Sequence, residues 1–223
     1  MMEVIVFAEG QSEEQFIKRV VAPALRHLQV FVKPQMLNTS QNAKGGAVSF
    51  ERLKFNARNT LRQRPDAVLS TFLDLYGLGT DFPEFAIAKS LTQVHQRVEH
   101  LENALHAGIV ADSGCRSQRF IPHIQPYEFE GLLFADVVAL SHTEPAWSTS
   151  LTQLLQIRAS FETPEHINDG YETKPSKRLE DILEPSYKKT RHGPLAALQV
   201  KLEVMEVECI HFGKWMNKLR ALA

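Results

Sequence analysis

The segment MEVIVFAEGQSE (residues 2–13) delivers a carboxylate, Glu9, to the end of an apolar run, Val4-Ile5-Val6-Phe7, that reads as a buried strand. Gly10 permits a tight turn. Ser12 and Gln15 form an S-x-x-Q pattern that predicts a capped helix over EEQFIKRVVAPAL. Glu13 falls one turn into that helix, close enough to share a ligand with Glu9. Two other places repeat the relation of acid to strand end. Asp74 lies near the carboxyl end of AVLSTFLDLYG, and Glu128 and Glu130 lie in YEFEGLLFAD, just after RFIPHIQP. In open α/β sheets the ligand crevice lies outside the carboxyl ends of the strands. Carboxylates converging there repel one another unless cations sit between them. Hard oxygen ligands of this kind suit Mg²⁺ or Mn²⁺. Each acid taken singly reads as a solvated residue at a strand terminus; together, at one sheet edge, they predict a metal-binding crevice.

The elements that must position these acids alternate between strand and helix patterns for roughly the first 135 residues, which predicts an α/β fold with a mostly parallel sheet. Val30-Phe31-Val32 and Met36-Leu37 suggest a second strand, followed by a loop, NTSQNAKGGAVS. Residues 50–64 have helical spacing that Pro65 ends, and residues 87–107 read as one long amphipathic helix. Prolines interrupt RFIPHIQP, so this fourth strand is expected at an edge or to end abruptly. Beyond Ser141 the period changes. Residues 151–161 look helical, TPEHINDGYETKPSKR loop-like, and SKRLEDILE a short capped helix. Residues 194–223 are helical in pattern, with Gly213 the expected break and His192-Gly193-Pro194 a turn before a helix start. The expected organisation is an α/β core over residues 1–140 and a helical extension over 141–223 packed on it.

The chain of 223 residues carries 25 basic and 26 acidic side chains, a net charge of −1 and 43% hydrophobic residues. That balance excludes a uniformly basic nucleic-acid coat but leaves room for a local basic groove. Two cysteines, Cys115 and Cys209, cannot build a zinc ribbon and read as reduced thiols. With no apolar run long enough to span a bilayer and no basic amino-terminal region, a cytoplasmic, non-membrane protein is expected. His95, His100 and His106 fall on the exposed face expected for the middle helix. His123 and His211 read as packing residues; Cys209-x-His211 offers two ligands without partners. Phe212, Trp215 and Leu219 have the spacing that packs a terminal helix onto a sheet.

The E-G-x-S-E turn, the strand ending in Asp74 and the later acids resemble the TOPRIM domain of topoisomerases, bacterial primases and overcoming-lysogenisation-type nucleases. Y-E-F-E-G-L-L-F-A-D (127–136), P-E-x-I-N-D-G (164–170), K-P-S-K-R (174–178) and C-I-H-F-G-K-W (209–215) are similar to a TOPRIM-like family known as a domain of unknown function. That similarity spans essentially the whole chain. It implies a TOPRIM/Rossmann-like sheet and Mg²⁺-dependent phosphodiester chemistry on DNA or RNA. It carries Glu9 onto the family's glutamate, Glu13 onto a second acid of the nuclease branch, and Asp74 onto the first Asp of D-x-D. The second Asp is Tyr76 here, so Glu128 or Glu130, or alternatively Asp81, would have to supply the missing ligand. The chain has no room for the extra domains of a topoisomerase and lacks the cysteine zinc sites of primases.

In such chemistry one metal lowers the pKa of its bound water, another stabilises the leaving oxygen, and a nearby cation neutralises developing charge. The densest basic stretch offers Lys174, Lys177, Arg178, Lys188, Lys189 and Arg191. Lys177, at the cap of a short helix, is the expected catalytic cation, with Arg178, Lys188, Lys189 and Arg191 binding nucleic-acid phosphates. The bland alternative is a solvated charged face mixed with Glu180, Asp181 and Glu184. Three functions stay open: a nuclease, a non-catalytic regulatory partner on a degenerate TOPRIM surface, and a small-phosphoester hydrolase or phosphotransferase. The resemblance also implies an AAA- or ABC-type ATPase partner encoded nearby, as in bacterial anti-phage systems, since this chain has no G-x-x-x-x-G-K-[ST] loop.

Overall fold

In a computed structural model, residues 1–37, 47–168, 170 and 172–223 are described. Most of the loop expected over 38–49, and Asp169 of the P-E-x-I-N-D-G motif, lie outside the described residues.

Strand β1 (Met2–Ala8) leads through α1 (Gln11–Phe16), a π-helical turn (Ile17–Val21) and α2 (Ala22–Arg26) to β2 (Val30–Met36). Helix α3 (Phe50–Gln63) precedes β3 (Val68–Asp74). Helices α4 (Phe85–Ser90) and α5 (Val94–Ser113) then lead to two short strands, β4 (Phe120–Ile121) and β5 (Ile124–Gln125). All pairings are parallel, in the order β2-β1-β3-β4, with β5 pairing beside the end of β3. Pro34, which has no N–H to donate, is tolerated because β2 is an edge strand. The chain leaves β1 toward β2 on one side and returns in β3 on the other. The crevice at the carboxyl ends of β1 and β3 is therefore a topological switch point, the ligand site of Rossmann-like α/β folds.

Both faces of the sheet are covered, which explains why β1 and β3 are largely apolar and why the two polar residues inside β3, Ser70 and Thr71, are buried with their hydroxyls donating to the Ile121 and His123 carbonyls. Ile5, Phe7, Leu69 and Leu73 pack against Leu53 and Ala57 of α3 and Val98, Leu101 and Leu105 of α5. Val4, Val6, Ala8 and Phe72 face the opposite way, toward Phe16, Ile17 and Leu25 and the carboxyl-terminal helices. A segment of 3-10 turns (Phe129–Asp136) passes into α6 (Val137–Ser141), α7 (Leu151–Ala159) and α8 (Pro175–Ile182). Helices α9 (Lys189–Val200), α10 (Leu202–Glu208) and α11 (Ile210–Arg220) complete the chain. Phe212, Trp215 and Leu219 of α11 are buried in the same cluster as Phe72, and the Trp215 indole donates to Ser70 Oγ at 2.9 Å.

Several local expectations are corrected. The S-x-x-Q box does not form: Gly10 is the N-cap and Ser12 lies buried inside the first turn, where its hydroxyl is out of position to cap. Residues 87–107 are not one helix, because Leu91 turns extended after α4; α5 then runs on to Gly114, whose φ of +66° ends it. His192-Gly193-Pro194 is not a turn but the second turn of α9, and the absent Cβ of Gly193 admits Tyr187 and Phe129. The terminal helices break at Lys201 and Cys209 instead of Gly213, which is buried inside α11 against the Glu206 carbonyl.

Candidate functional site

The acids predicted from strand ends meet at the switch point. Glu9 follows the last residue of β1, and Asp74 is the last residue of β3, two positions beyond the Ala8–Phe72 pair. Glu13 sits in the first turn of α1, where the helix dipole favours a carboxylate. Glu128 and Glu130 flank the start of the 3-10 segment, which Tyr127, at φ +59°, turns back toward β3. Asp74 Oδ1 locks this turn by accepting from the Phe129 N–H at 2.8 Å. Gly77 leaves room for the Glu9 carboxylate, since a Cβ on it would overlap both carboxylate oxygens and displace them.

Lys189, the first residue of α9, reaches into the group; its ammonium lies 3.2 Å from Glu128 Oε1 and 3.2 Å from Glu130 Oε2. Lys174 adds a second ammonium, 3.1 Å from Glu128 Oε1. The start of α8 contributes the Ser176 N–H, donated to Glu128 Oε2 at 3.0 Å. The Tyr187 hydroxyl donates to Glu130 Oε1 at 3.3 Å.

Five carboxylates against two ammonium groups leave a surplus of negative charge, and the acids respond by holding protons. Burial, reinforced by Glu13 and Glu128, raises Glu9 to about 7. Burial with the charges of Glu128 and Glu13 likewise raises Glu130 to about 7. Burial raises Glu13, with Glu128 adding to the shift, and it pushes Asp74 well above the carboxylate range, reinforced by Glu13 and Glu9. Glu128 behaves oppositely: burial works against ionisation, but Lys189, Ser176 and Lys174 outweigh it and hold its pKa down. Burial disfavours the Lys189 charge, yet Glu130, Asp74 and Glu128 more than compensate and raise its pKa.

The donor set fits a hard divalent cation. It consists of oxygens, it is more negative than its lysines can balance, and Glu9 Oε2 is a buried acceptor without a hydrogen-bond partner. The acids are nevertheless spaced more widely than a closed ligand shell. Among the described residues, the group with one ligand atom each, all within 4.8 Å of one another, is a different one: Glu102, His123 and His211.

The other predicted residues are only partly brought to the acids. Lys177 does not reach them; it pairs with Asp181 one turn along α8. Arg178 donates to the Thr173 carbonyl at 2.6 Å and lies over the Phe161 ring. Arg191 pairs with Glu144 at 2.7 Å, and the Lys188 N–H, at the start of α9, donates to His192 Nδ1 at 2.9 Å. Asp81 is no spare ligand, because its Oδ2 accepts from the Phe50 N–H at 2.8 Å at the start of α3. Tyr76, in place of a second Asp, packs on Tyr127 with ring centroids 5.5 Å apart and accepts from Asn168 Nδ2.

The sequence reading missed a second polar cluster on the far side of β3. Glu102 of α5 accepts from the Ile124 N–H at 2.8 Å and contacts His211 Nε2 at 2.7 Å. His123 Nδ1 stands 3.6 Å from the same Glu102 oxygen, and its Nε2 contacts Gln125 Oε1 at 3.2 Å. Burial and the neighbouring His211 charge hold His123 well below the usual histidine value, so its approach to Glu102 is not an ion pair. Burial also acts against the His211 charge, but Glu102 outweighs it and raises that pKa. Next to the cluster, fully buried Glu165 binds His95 Nε2 at 3.0 Å and the His211 and Phe212 N–H groups at 2.9 and 3.0 Å. His95 is therefore not a plain surface histidine. Glu102 had no signal in sequence beyond its place in a helix; only the C-x-H pattern pointed to His211. No described helix is long and apolar enough to cross a membrane.

A family model described as a domain of unknown function (DUF4276) matches residues 8–220. No curated protein and no solved structure matches the chain.

Proposed function

The chain belongs to the DUF4276 family, and we propose that it hydrolyses phosphodiester bonds of DNA or RNA with a divalent cation, Mg²⁺ or Mn²⁺, held at the switch-point acids. The observation that carries this reading is the gathering of Glu9, Glu13, Asp74, Glu128 and Glu130 from separate segments at one edge, with four of the five raised from their ordinary values. Charge surplus of that kind is costly unless a cation or cationic ligand complements it. Glu9, Glu13, Asp74 and Glu130 would hold the metal, which supplies Lewis acidity and a more acidic bound water. Glu128, already ionised and bonded to both lysines, orients them. Lys189 and Lys174, partly exposed at the mouth, are placed to meet phosphate oxygens; they take the role expected for Lys177. Glu9 and Glu130 titrate near neutrality and are the groups that can exchange a proton with water at working pH.

A second reading, a non-catalytic partner of an ATPase, draws on Tyr76 replacing an acid and on the Lys189 ammonium standing among the carboxylates. The AAA- or ABC-type partner and an anti-phage role are supported by the sequence resemblance. The deciding experiment incubates purified protein with single- and double-stranded DNA and RNA, with Mg²⁺, Mn²⁺ or excess chelator, alone and with the cognate ATPase. Metal-dependent cleavage lost in folded Glu9→Ala and Asp74→Asn variants supports the nuclease. Cleavage that survives chelator overturns its mechanism, and inactivity under every condition favours the regulatory reading.

A further inference from the structure

We propose that Glu102, His123 and His211 form a second metal site, separate from the acidic edge, that takes a borderline transition ion such as Zn²⁺. The three residues come from α5, from the joint between β4 and β5, and from α11, so a shared ion would tie the carboxyl-terminal helix to the sheet. Two imidazoles and one carboxylate are the donor set of three-ligand zinc sites, whereas Mg²⁺ prefers an all-oxygen shell. Ligands of a tetrahedral zinc ion at ~2.0–2.1 Å lie roughly 3.3 Å from one another. The separations of His211 Nε2 and His123 Nδ1 from Glu102 Oε1, 2.7 and 3.6 Å, bracket that value.

The surroundings support ligation as well as packing. With Gln125 Oε1 accepting from His123 Nε2, the lone pair of Nδ1 faces the Glu102 carboxylate, an arrangement of two electron-rich atoms that a cation between them would satisfy. A carboxamide on the distal nitrogen and a backbone N–H on the carboxylate are the outer hydrogen bonds that fix metal-binding groups. Trp215 stacks on His123 at 4.9 Å and walls one side with apolar surface. A cavity of about 40 Å³, lined by the three residues together with Trp215, Lys214 and Lys218, is large enough for water in a fourth position. Binding replaces the proton on His211 Nε2 with the ion and releases it to solvent.

The test is a Co²⁺ titration of chelator-treated full-length protein, followed by Zn²⁺ competition. The expected result is a visible d–d band of four-coordinate Co²⁺ at one equivalent, abolished by Zn²⁺ but not by Mg²⁺. The band should persist in Glu9→Ala and disappear in His123→Ala and His211→Ala. Gln125→Leu, which removes only the orienting group, should weaken Zn²⁺ binding by ~10–100-fold. Should the histidine variants fail to fold, the wild type and Gln125→Leu decide the matter. No visible band in the wild type, or equal Zn²⁺ affinity in Gln125→Leu and the wild type, overturns the proposal.

Discussion

Replacing Glu130 by Gln removes the charge of a fully buried carboxyl while keeping its shape and an oxygen for the Tyr187 hydroxyl. Burial, with the charges of Glu128 and Glu13, raises Glu130 from 4.5 to about 7 in the folded chain. Between those two values the folded state keeps a proton that the unfolded state has lost, so stability falls as pH rises through this window and levels off above it. A difference of that size corresponds to about 3 kcal/mol. Glu130→Gln has no such proton to lose, so its stability relative to the wild type should improve by about 3 kcal/mol between pH ~4.5 and ~7.5. The attraction of Lys189 acts only where Glu130 is ionised and is already part of its pKa of about 7, so the same slope includes it. At roughly 2–4 °C per kcal/mol for a chain of this size, the relative melting temperature should move by about 6–12 °C. Urea denaturation across this pH range in excess chelator measures the effect, and Glu9 contributes its own slope equally to both proteins. A wild-type-to-variant difference that stays flat with pH refutes the claim that crowding of buried acids sets these protonation states. Added Mg²⁺ should stabilise the wild type more at the upper end of the range, where the acids it would bind are ionised.

Asp74→Asn should abolish divalent-metal binding, measured calorimetrically, with little loss of stability; Asp74→Ala should lose a further ~1–3 kcal/mol because the buried Phe129 N–H is left without its acceptor. Gly77→Ala should displace the Glu9 carboxylate and weaken Mg²⁺ binding even in folded protein; unchanged affinity would show that Glu9 is not a ligand. If the chain binds duplex DNA, Lys189→Ala should flatten the plot of log K against log salt by about 0.9, whereas Lys177→Ala should leave it unaltered because Lys177 is engaged with Asp181. Trp215→Phe should cost about 1–3 kcal/mol in urea denaturation, since the buried Ser70 hydroxyl loses the indole donor.

Local pattern determined the parallel sheet. β1 and β3 are predominantly apolar on both alternating faces because both faces are buried, and such runs are visible without knowing what covers them. The same runs locate Glu9 and Asp74, since a strand's last residue marks a sheet edge whatever the topology. Helix ends were less legible. Ser12 and Gln15 have cap spacing, yet Gly10 starts the helix; Gly213 resembles a breaker, yet it serves a close contact with the Glu206 carbonyl. Whether a glycine ends a helix or admits a neighbour depends on what packs beside it, and residue type alone does not carry that information. Which lysine meets the acids was decided only in three dimensions. Lys177 and Lys189 look alike in sequence, but the first residue of α9 faces the acids while Lys177 meets Asp181 on its own helix. Glu102, His123 and His211 stand as far as 109 positions apart, and a polar residue's partner across such a separation is fixed by how helices dock on the sheet. Spacing encodes the neighbours that one element brings together; the assembly of α5, the β4–β5 joint and α11 is encoded in the apolar faces that pack them, and polar contacts follow from that packing.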